Sequence, residues 1–122
     1  MDLTLQLCPS PDLIGCYAQQ DWDTTLVVIT DVFRASATIL SALYHGAIEV
    51  RPVATIEESL QHQNYPDYLV AAERNARRVE GATLGNDPEE YTRDRVEGKR
   101  VVLTTTNGTR ALHLAQEAGA KH

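Results

Sequence analysis

Two short runs without a polar residue, Leu26-Val27-Val28-Ile29 and Val101-Val102-Leu103, constrain this chain more than any other feature. A strand with one face in water alternates apolar and polar residues, so unbroken apolarity asks for cover on both faces, as in the central strands of a parallel sheet. Helical segments and further apolar runs alternate with them: 35–44, 48–53, 56–63, 68–72 and 111–118. That rhythm predicts an α/β fold, layered α/β/α with a mostly parallel sheet. Leu3, Leu5 and Leu7 alternate with Thr4 and Gln6, and Ile48-Glu49-Val50-Arg51-Pro52 alternates and ends in a proline, which cannot donate to a ladder. These two segments are expected at the periphery, giving the sheet mixed edges.

Helix ends are signalled locally. Thr55-Ile56-Glu57-Glu58 reads as a capping box, Asp87-Pro88-Glu89-Glu90 as a cap followed by an N1 proline, and Gly46 and Gly119 as stops. Between Glu73 and Asp87 no period emerges, and Gly81, Gly85 and Asn86 mark an irregular connection of the kind that often carries function.

The chain has 122 residues, 43% hydrophobic and 23% charged, which suits one α/β domain spanning 1–122. No apolar run approaches the roughly 20 residues a membrane span needs, and the N-terminus lacks signal-peptide character, so the expectation is a cytoplasmic protein with no membrane partner. The last helical segment ends at Gly119, where the rhythm would call for another strand, and the chain reads as the N-terminal portion of a longer protein. Cys8 and Cys16 have neither metal-site nor redox-motif spacing and are expected as reduced thiols. A net charge of −6 excludes nonspecific binding to nucleic acid, which rests on a basic face. A small anionic ligand stays open: nine of the eleven cations are arginines, whose planar fork matches phosphate, carboxylate or sulfonate oxygens.

Two junctions share a pattern, Thr30-Asp31-Val32-Phe33-Arg34-Ala35 and Thr104-Thr105-Thr106-Asn107-Gly108-Thr109-Arg110-Ala111, each placing an arginine three residues after an Asp or Asn. With Asp31 and Asn107 as N-caps, Arg34 and Arg110 would sit in a first helical turn, where the macrodipole disfavours a cation by about 0.3–1 kcal/mol and an anion would offset that cost. The hydroxyls and glycine of 104–109 suit close approach to oxyanions, although the segment is neither a P-loop nor a dinucleotide fingerprint. Asp31, after an apolar run, could ligate Mg²⁺ with a second carboxylate such as Glu73, or could be a cap alone. Phe33 stands where an aspartyl-phosphate mechanism would need a second acid, so hydrolysis by metal-activated water is preferred over a covalent route. Glu73-Arg74-Asn75-Ala76-Arg77-Arg78 follows the apolar run 68–72 and would lie at the same sheet end. The bland readings are caps, turns and solvated surface charge.

Together Asp31-Val32-Phe33-Arg34-Ala35-Ser36, Glu73-Arg74-Asn75, Glu80-Gly81 with Leu84-Gly85-Asn86, and the segment from Thr104 to Ala111 resemble the 2-phosphosulfolactate phosphatase (ComB-like) family, in its order and spacing. The resemblance implies a phosphoric monoester hydrolase that uses Mg²⁺ to split 2-phosphosulfolactate, or a related phosphorylated 2-hydroxy acid, into sulfolactate and phosphate. It carries over Asp31, Arg34 and Ser36, then Glu73, Arg74 and Asn75, then Thr105, Thr106, Asn107, Gly108 and Thr109; Arg110 joins them from the clamp. Asp31, Glu73 and Arg34 are expected as catalytic residues, Asp31 and Glu73 as metal ligands, and the others with Arg34 as substrate-binding. Family members usually have glycine after the Glu-Arg-Asn triplet, where this chain has Ala76, and an aromatic-acid pair where it has Ala82-Thr83. The rival readings are a noncatalytic anion-binding domain or inactive fragment of such an enzyme, and an assembly module whose unfinished sheet edge pairs with another copy, giving a homo-oligomer, or with the rest of a longer chain.

Overall fold

In the computed structural model, which describes residues 3–17 and 19–122, four strands form one sheet: β1 (Glu49–Pro52), β2 (Tyr68–Arg74), β3 (Arg77–Arg78) and β4 (Arg100–Thr104). Their spatial order is β1-β4-β2-β3. β4 lies parallel to both β1 and β2, with Val101 opposite Val50 and Leu69, while β3 turns back antiparallel to β2. The mixed α/β expectation holds, with a mostly parallel sheet. The run Val101-Val102-Leu103 occupies the centre and is wholly buried, as unbroken apolarity demands; the proline-ended segment is an edge strand.

Pleating sends Leu69, Ala71, Val101 and Leu103 to one face, where they pack with Ala42 and Ile39 of helix α1 (Ala35–Tyr44) and with Ala47, Leu84, Tyr91 and Val96. Val70, Ala72, Val102 and Thr104 point to the other face, on the side of helix α2 (Ile56–Leu60). The capping box at α2 forms as read: Glu58 N–H donates to Thr55 Oγ1 at 3.1 Å and Thr55 N–H to Glu58 Oε2 at 3.1 Å. The helix is shorter than the periodic segment because residues 62–65 switch to tighter i→i+3 bonds.

Asp87 also caps, accepting Glu89 N–H at 3.1 Å, but it opens only a single 3₁₀ turn, Pro88–Glu90, ahead of helix α3 (Arg93–Val96). The chain bends in there to bury Tyr91, whose phenol donates to Gly85 C=O at 2.6 Å. Burial pushes this phenol upward from its ordinary range, with Glu90 adding to the shift and Arg95 opposing it, so it stays a neutral donor at neutral pH. Gly46 and Gly119 stop helices as expected, at φ of 98° and 115°.

These elements, 30–110, form one compact unit; Met1–Ile29 with Ala111–His122 form a second. The second contains two 3₁₀ turns, Pro11–Tyr17 and Trp22–Thr24, the latter capped by Asp21, and Trp22 packs against Gly119. The free thiols Cys8 and Cys16 both lie in it. Two strand expectations fail in this unit. Among the described residues, 26–29 run without a ladder and make one backbone bond, Val27 N–H to His122 C=O at 2.9 Å, and Leu26 and Val28 are each 73% exposed. Leu3, Leu5 and Leu7 are likewise exposed and unpaired in any sheet. Apolar patterning specifies a demand for cover; a strand also needs a neighbour offering free backbone groups in register, which neither segment has among the described residues. No described helix is long and apolar enough to cross a membrane.

The β2–β3 connection is a two-residue hairpin. Asn75 (φ 54°) and Ala76 (φ 61°) are both left-handed, as a type I′ turn requires, so the pairing of Arg74 with Arg77 is set by the turn. Asparagine tolerates this conformation; alanine costs about 1–2 kcal/mol in it. Replacing Ala76 by the glycine usual in the resembling family should therefore stabilise the protein. After the larger unfolded-state entropy of glycine is subtracted, a net gain of about 1 kcal/mol in denaturant unfolding is expected. No gain would mean that the turn is not strained by its alanine.

Candidate functional site

The C-terminal ends of β2 and β4 and the turn ahead of α1 converge on a cavity of about 280 Å³. It is lined by Asp31, Phe33, Arg34, Glu73, Asn75, Ala76, Asn86, Thr105, Thr106 and Asn107. The volume lies just below the roughly 300–1,000 Å³ of ordinary ligand clefts, which suits a small metabolite. Seven of the twelve sequence-derived site residues share it: Asp31, Arg34, Glu73, Asn75, Thr105, Thr106 and Asn107.

The centre of its construction is Glu73, a buried carboxylate only 6% exposed. It accepts the Ala76 N–H, the Thr106 N–H at 3.2 Å and the Thr106 hydroxyl at 3.1 Å to either oxygen. One side chain thus ties the hairpin after β2 to the loop after β4. Hydrogen bonds to a charged acceptor contribute about 1.5–3 kcal/mol each, enough to fix both loops. Its oxygens are spoken for by protein donors, whereas the residue patterning suggested a free metal ligand.

The start of helix α4 (Gly108–Ala118) is closed differently from expectation. Thr105 and Thr109 cap each other: Thr109 N–H donates to Thr105 Oγ1 at 3.2 Å and Thr105 N–H to Thr109 Oγ1 at 3.1 Å. These threonines therefore serve as a reciprocal cap, and the hydroxyl-rich segment holds itself before it holds anything else. Asn107, exposed at the helix start, keeps its N–H and carboxamide without an acceptor among the described residues. Gly108 lies just outside the cavity lining and is required for close approach. A Cβ there would sit 2.7 Å from Ala35 Cβ and 2.9 Å from Asp31 Oδ2, so the glycine lets α1 and the Asp31 carboxylate close onto the start of α4. An anionic group at that helix end is favoured by the macrodipole.

Asp31 is not the side-chain cap of α1; its carbonyl accepts Ser36 N–H at 3.1 Å, and Arg34 occupies the N-cap position without a side-chain cap bond. Because residues 26–29 form no strand, this junction is a turn leading into a helix, and the carboxylate is released from capping to face the cavity. Arg34 reaches Asp87 at 3.9 Å with its side chain about a third exposed, a loose pair that leaves the guanidinium able to bind an anion. Ser36, Arg74 and Arg110 are exposed and outside the lining, and Thr109 is buried and also outside it. The two-arginine clamp read from the paired junctions thus has one arginine at the cavity.

Sequence patterning missed Phe33, Ala76 and Asn86 as lining residues. Asn86 had a signal, since the Leu84-Gly85-Asn86 segment was among the motifs, but nothing in spacing showed that its side chain turns inward. A larger hollow of about 490 Å³, lined by Gln6, Cys16, Tyr17, Gln19 and Gln20, holds no charged group.

No group of three or more His, Cys, Asp or Glu among the described residues could cage a metal. Magnesium does not ask for one: it takes hard oxygens, commonly one or two carboxylates with waters and substrate phosphate completing the shell. Asp31, a carboxylate against an otherwise oxygen-rich and amide-rich wall with no thiol or imidazole in the lining, fits that chemistry.

The family model described as 2-phosphosulpholactate phosphatase matches residues 11–122. A Clostridium beijerinckii protein named "Probable 2-phosphosulfolactate phosphatase" is 47% identical over 96 residues, covering 76% of this chain and 40% of its own length. A protein of the same name from Thermotoga maritima is 48% identical over 85 residues, covering 70% of this chain and 37% of its own length. One from Caldanaerobacter subterraneus subsp. tengcongensis is 46% identical over 89 residues, again reaching 37% of that relative. The chain spans about two fifths of the length of these relatives.

Proposed function

Because the chain belongs to the 2-phosphosulpholactate phosphatase family, we propose that it carries the phosphate-binding and cation-binding part of a magnesium-dependent phosphatase acting on 2-phosphosulfolactate or a related phosphorylated 2-hydroxy acid. The observation that carries this reading is the meeting of Asp31, Arg34, Asn75 and Asn107 around one small cavity whose walls Glu73 locks in place. Bound magnesium would supply Lewis-acid polarisation of a phosphoryl oxygen and a lowered pKa for an attacking water.

The protein's own groups do the rest. Arg34 offers a planar donor pair to phosphoryl or carboxylate oxygens, and the free amides of Asn75 and Asn107 are placed to add neutral donors as charge builds on the transferring group. Asp31, whose negative charge is favoured beside the N-terminus of α4, would hold the cation on its cavity side and orient the water. Glu73, with both oxygens engaged, is a positioning residue: it fixes the Asn75–Ala76 peptide on one side and the Thr105–Thr106 peptide on the other. Arg74 and Arg110, exposed outside the lining, contribute to the field that draws a multiply charged anion toward the site.

Phosphate released from 2-phosphosulfolactate, measured with a colorimetric phosphate assay across a magnesium titration, tests the proposal. The expected result is release that saturates with magnesium and vanishes with excess chelator. Binding of sulfolactate and phosphate without turnover at any magnesium concentration would favour an anion-binding domain instead, and release indifferent to chelator would remove the metal from the reaction.

A further inference from the structure

Asn86 is 8% exposed, lines the cavity, and its Oδ1 has no hydrogen-bond partner. A buried amide oxygen without a partner costs about 1–3 kcal/mol, so its persistence asks for a ligand-side explanation. The backbone that presents it is pinned on every side. Leu84, fully buried, bridges to Ala71, and Leu84 C=O accepts Ala72 N–H at 3.1 Å. Gly85 donates its N–H to Glu90 Oε1 at 3.1 Å and accepts the Tyr91 phenol at its C=O at 2.6 Å. Asp87, next in sequence, meets Arg34 at 3.9 Å. Asn86 is therefore held from both flanks while its acceptor is left unused.

The chemistry of an acceptor narrows what it can meet. Phosphate, carboxylate and sulfonate oxygens are themselves acceptors at neutral pH and would be repelled by the amide oxygen. A hard cation would not. We infer that Asn86 Oδ1 is a neutral oxygen ligand for the divalent cation held by Asp31, in a position opened by Glu73 being committed to Ala76 and Thr106. This rests on the magnesium-dependent reading above and goes beyond it by assigning a ligand that neither the family description nor the relatives' names provide.

Mn²⁺, used as the probe in place of Mg²⁺, can be titrated into the protein while its free form is followed by electron paramagnetic resonance, without any substrate. Asn86→Ala should weaken Mn²⁺ binding at least tenfold, and Asn86→Asp, nearly the same shape with a charge added, should bind more than twofold more tightly than the unsubstituted protein. Asp31→Asn in the same titration marks the site by losing it. Mn²⁺ affinity within twofold of the unsubstituted protein in both Asn86 variants overturns the inference, as does Mn²⁺ binding that survives Asp31→Asn unchanged. Should Asn86→Ala fail to fold, Asn86→Asp decides alone: affinity unchanged or weaker rejects the ligand role. The phosphatase reading fails separately, through absence of phosphate release from the unsubstituted protein at saturating magnesium.

Discussion

Asp31→Asn is expected to lower phosphate release from 2-phosphosulfolactate by at least about 100-fold, the scale of losing a group that holds a catalytic cation or positions its water. The substitution keeps the shape of the side chain while removing its charge and exchanging one acceptor oxygen for an amide donor. Its backbone role, accepting Ser36 N–H at the start of α1, is untouched, and the carboxylate makes no side-chain cap there. What is lost structurally is a charge beside the N-terminus of α4, worth about 0.3–1 kcal/mol at such an end. The variant should accordingly unfold within about 1 kcal/mol of the unsubstituted protein while its activity collapses. A variant equally stable and still more than a tenth as active would place the reacting centre elsewhere. One that loses activity only by unfolding would return Asp31 to the role of a turn residue. Circular dichroism melts run beside the phosphate assay separate the two.

How far the sequence revealed this arrangement depends on which force set each element. Val101-Val102-Leu103 and the 68–72 run became buried parallel strands because burial on two faces is what their composition specifies, and both found partners. Leu26-Val27-Val28-Ile29 carries the same signal and forms no ladder, since composition names the need for a neighbour and is silent about its identity. Local chemistry was read most faithfully: the Thr55–Glu58 box, the Asp87 cap and the glycine stops all depend on residues within a few positions of one another. The site was legible as a set of segments and much less as a set of roles. Nothing along the chain distinguishes a carboxylate that faces a cavity from one consumed by backbone donors 33 residues away, which is the difference between Asp31 and Glu73. The hydroxyls of Thr105 and Thr109, attractive as oxyanion donors, close onto each other because a helix start must satisfy its own N–H groups first. Arg110 belonged to a pattern whose partner reached the cavity and which itself stayed outside it.

Glu73→Gln should damage the protein in a way a surface carboxylate never would. Glutamine has one acceptor oxygen where glutamate has two, and its amide nitrogen is a donor. If the oxygen keeps the Ala76 N–H, the nitrogen faces the Thr106 N–H, donor against donor, and one part-buried backbone group loses its protein acceptor. Leaving that group unsatisfied and losing the charge on the remaining bonds is expected to cost about 2–4 kcal/mol of stability. Activity should fall with it even at temperatures where the variant is folded, because Asn75 and Asn107 lose the brace between their loops. Thr106→Val provides the control: it removes the hydroxyl yet keeps the Thr106 N–H on Glu73, so its cost should be about 1.5–3 kcal/mol, that of one hydrogen bond to a charged acceptor. In the double variant the two costs should fall short of their sum by about 1 kcal/mol or more, the signature of groups that share a bond. Denaturant unfolding of the four proteins measures that coupling. Strict additivity would show that the Thr106 hydroxyl does not rest on Glu73; a Glu73 that acts in the cavity as a free carboxylate would show itself separately, by Glu73→Gln weakening Mn²⁺ binding as strongly as Asp31→Asn does.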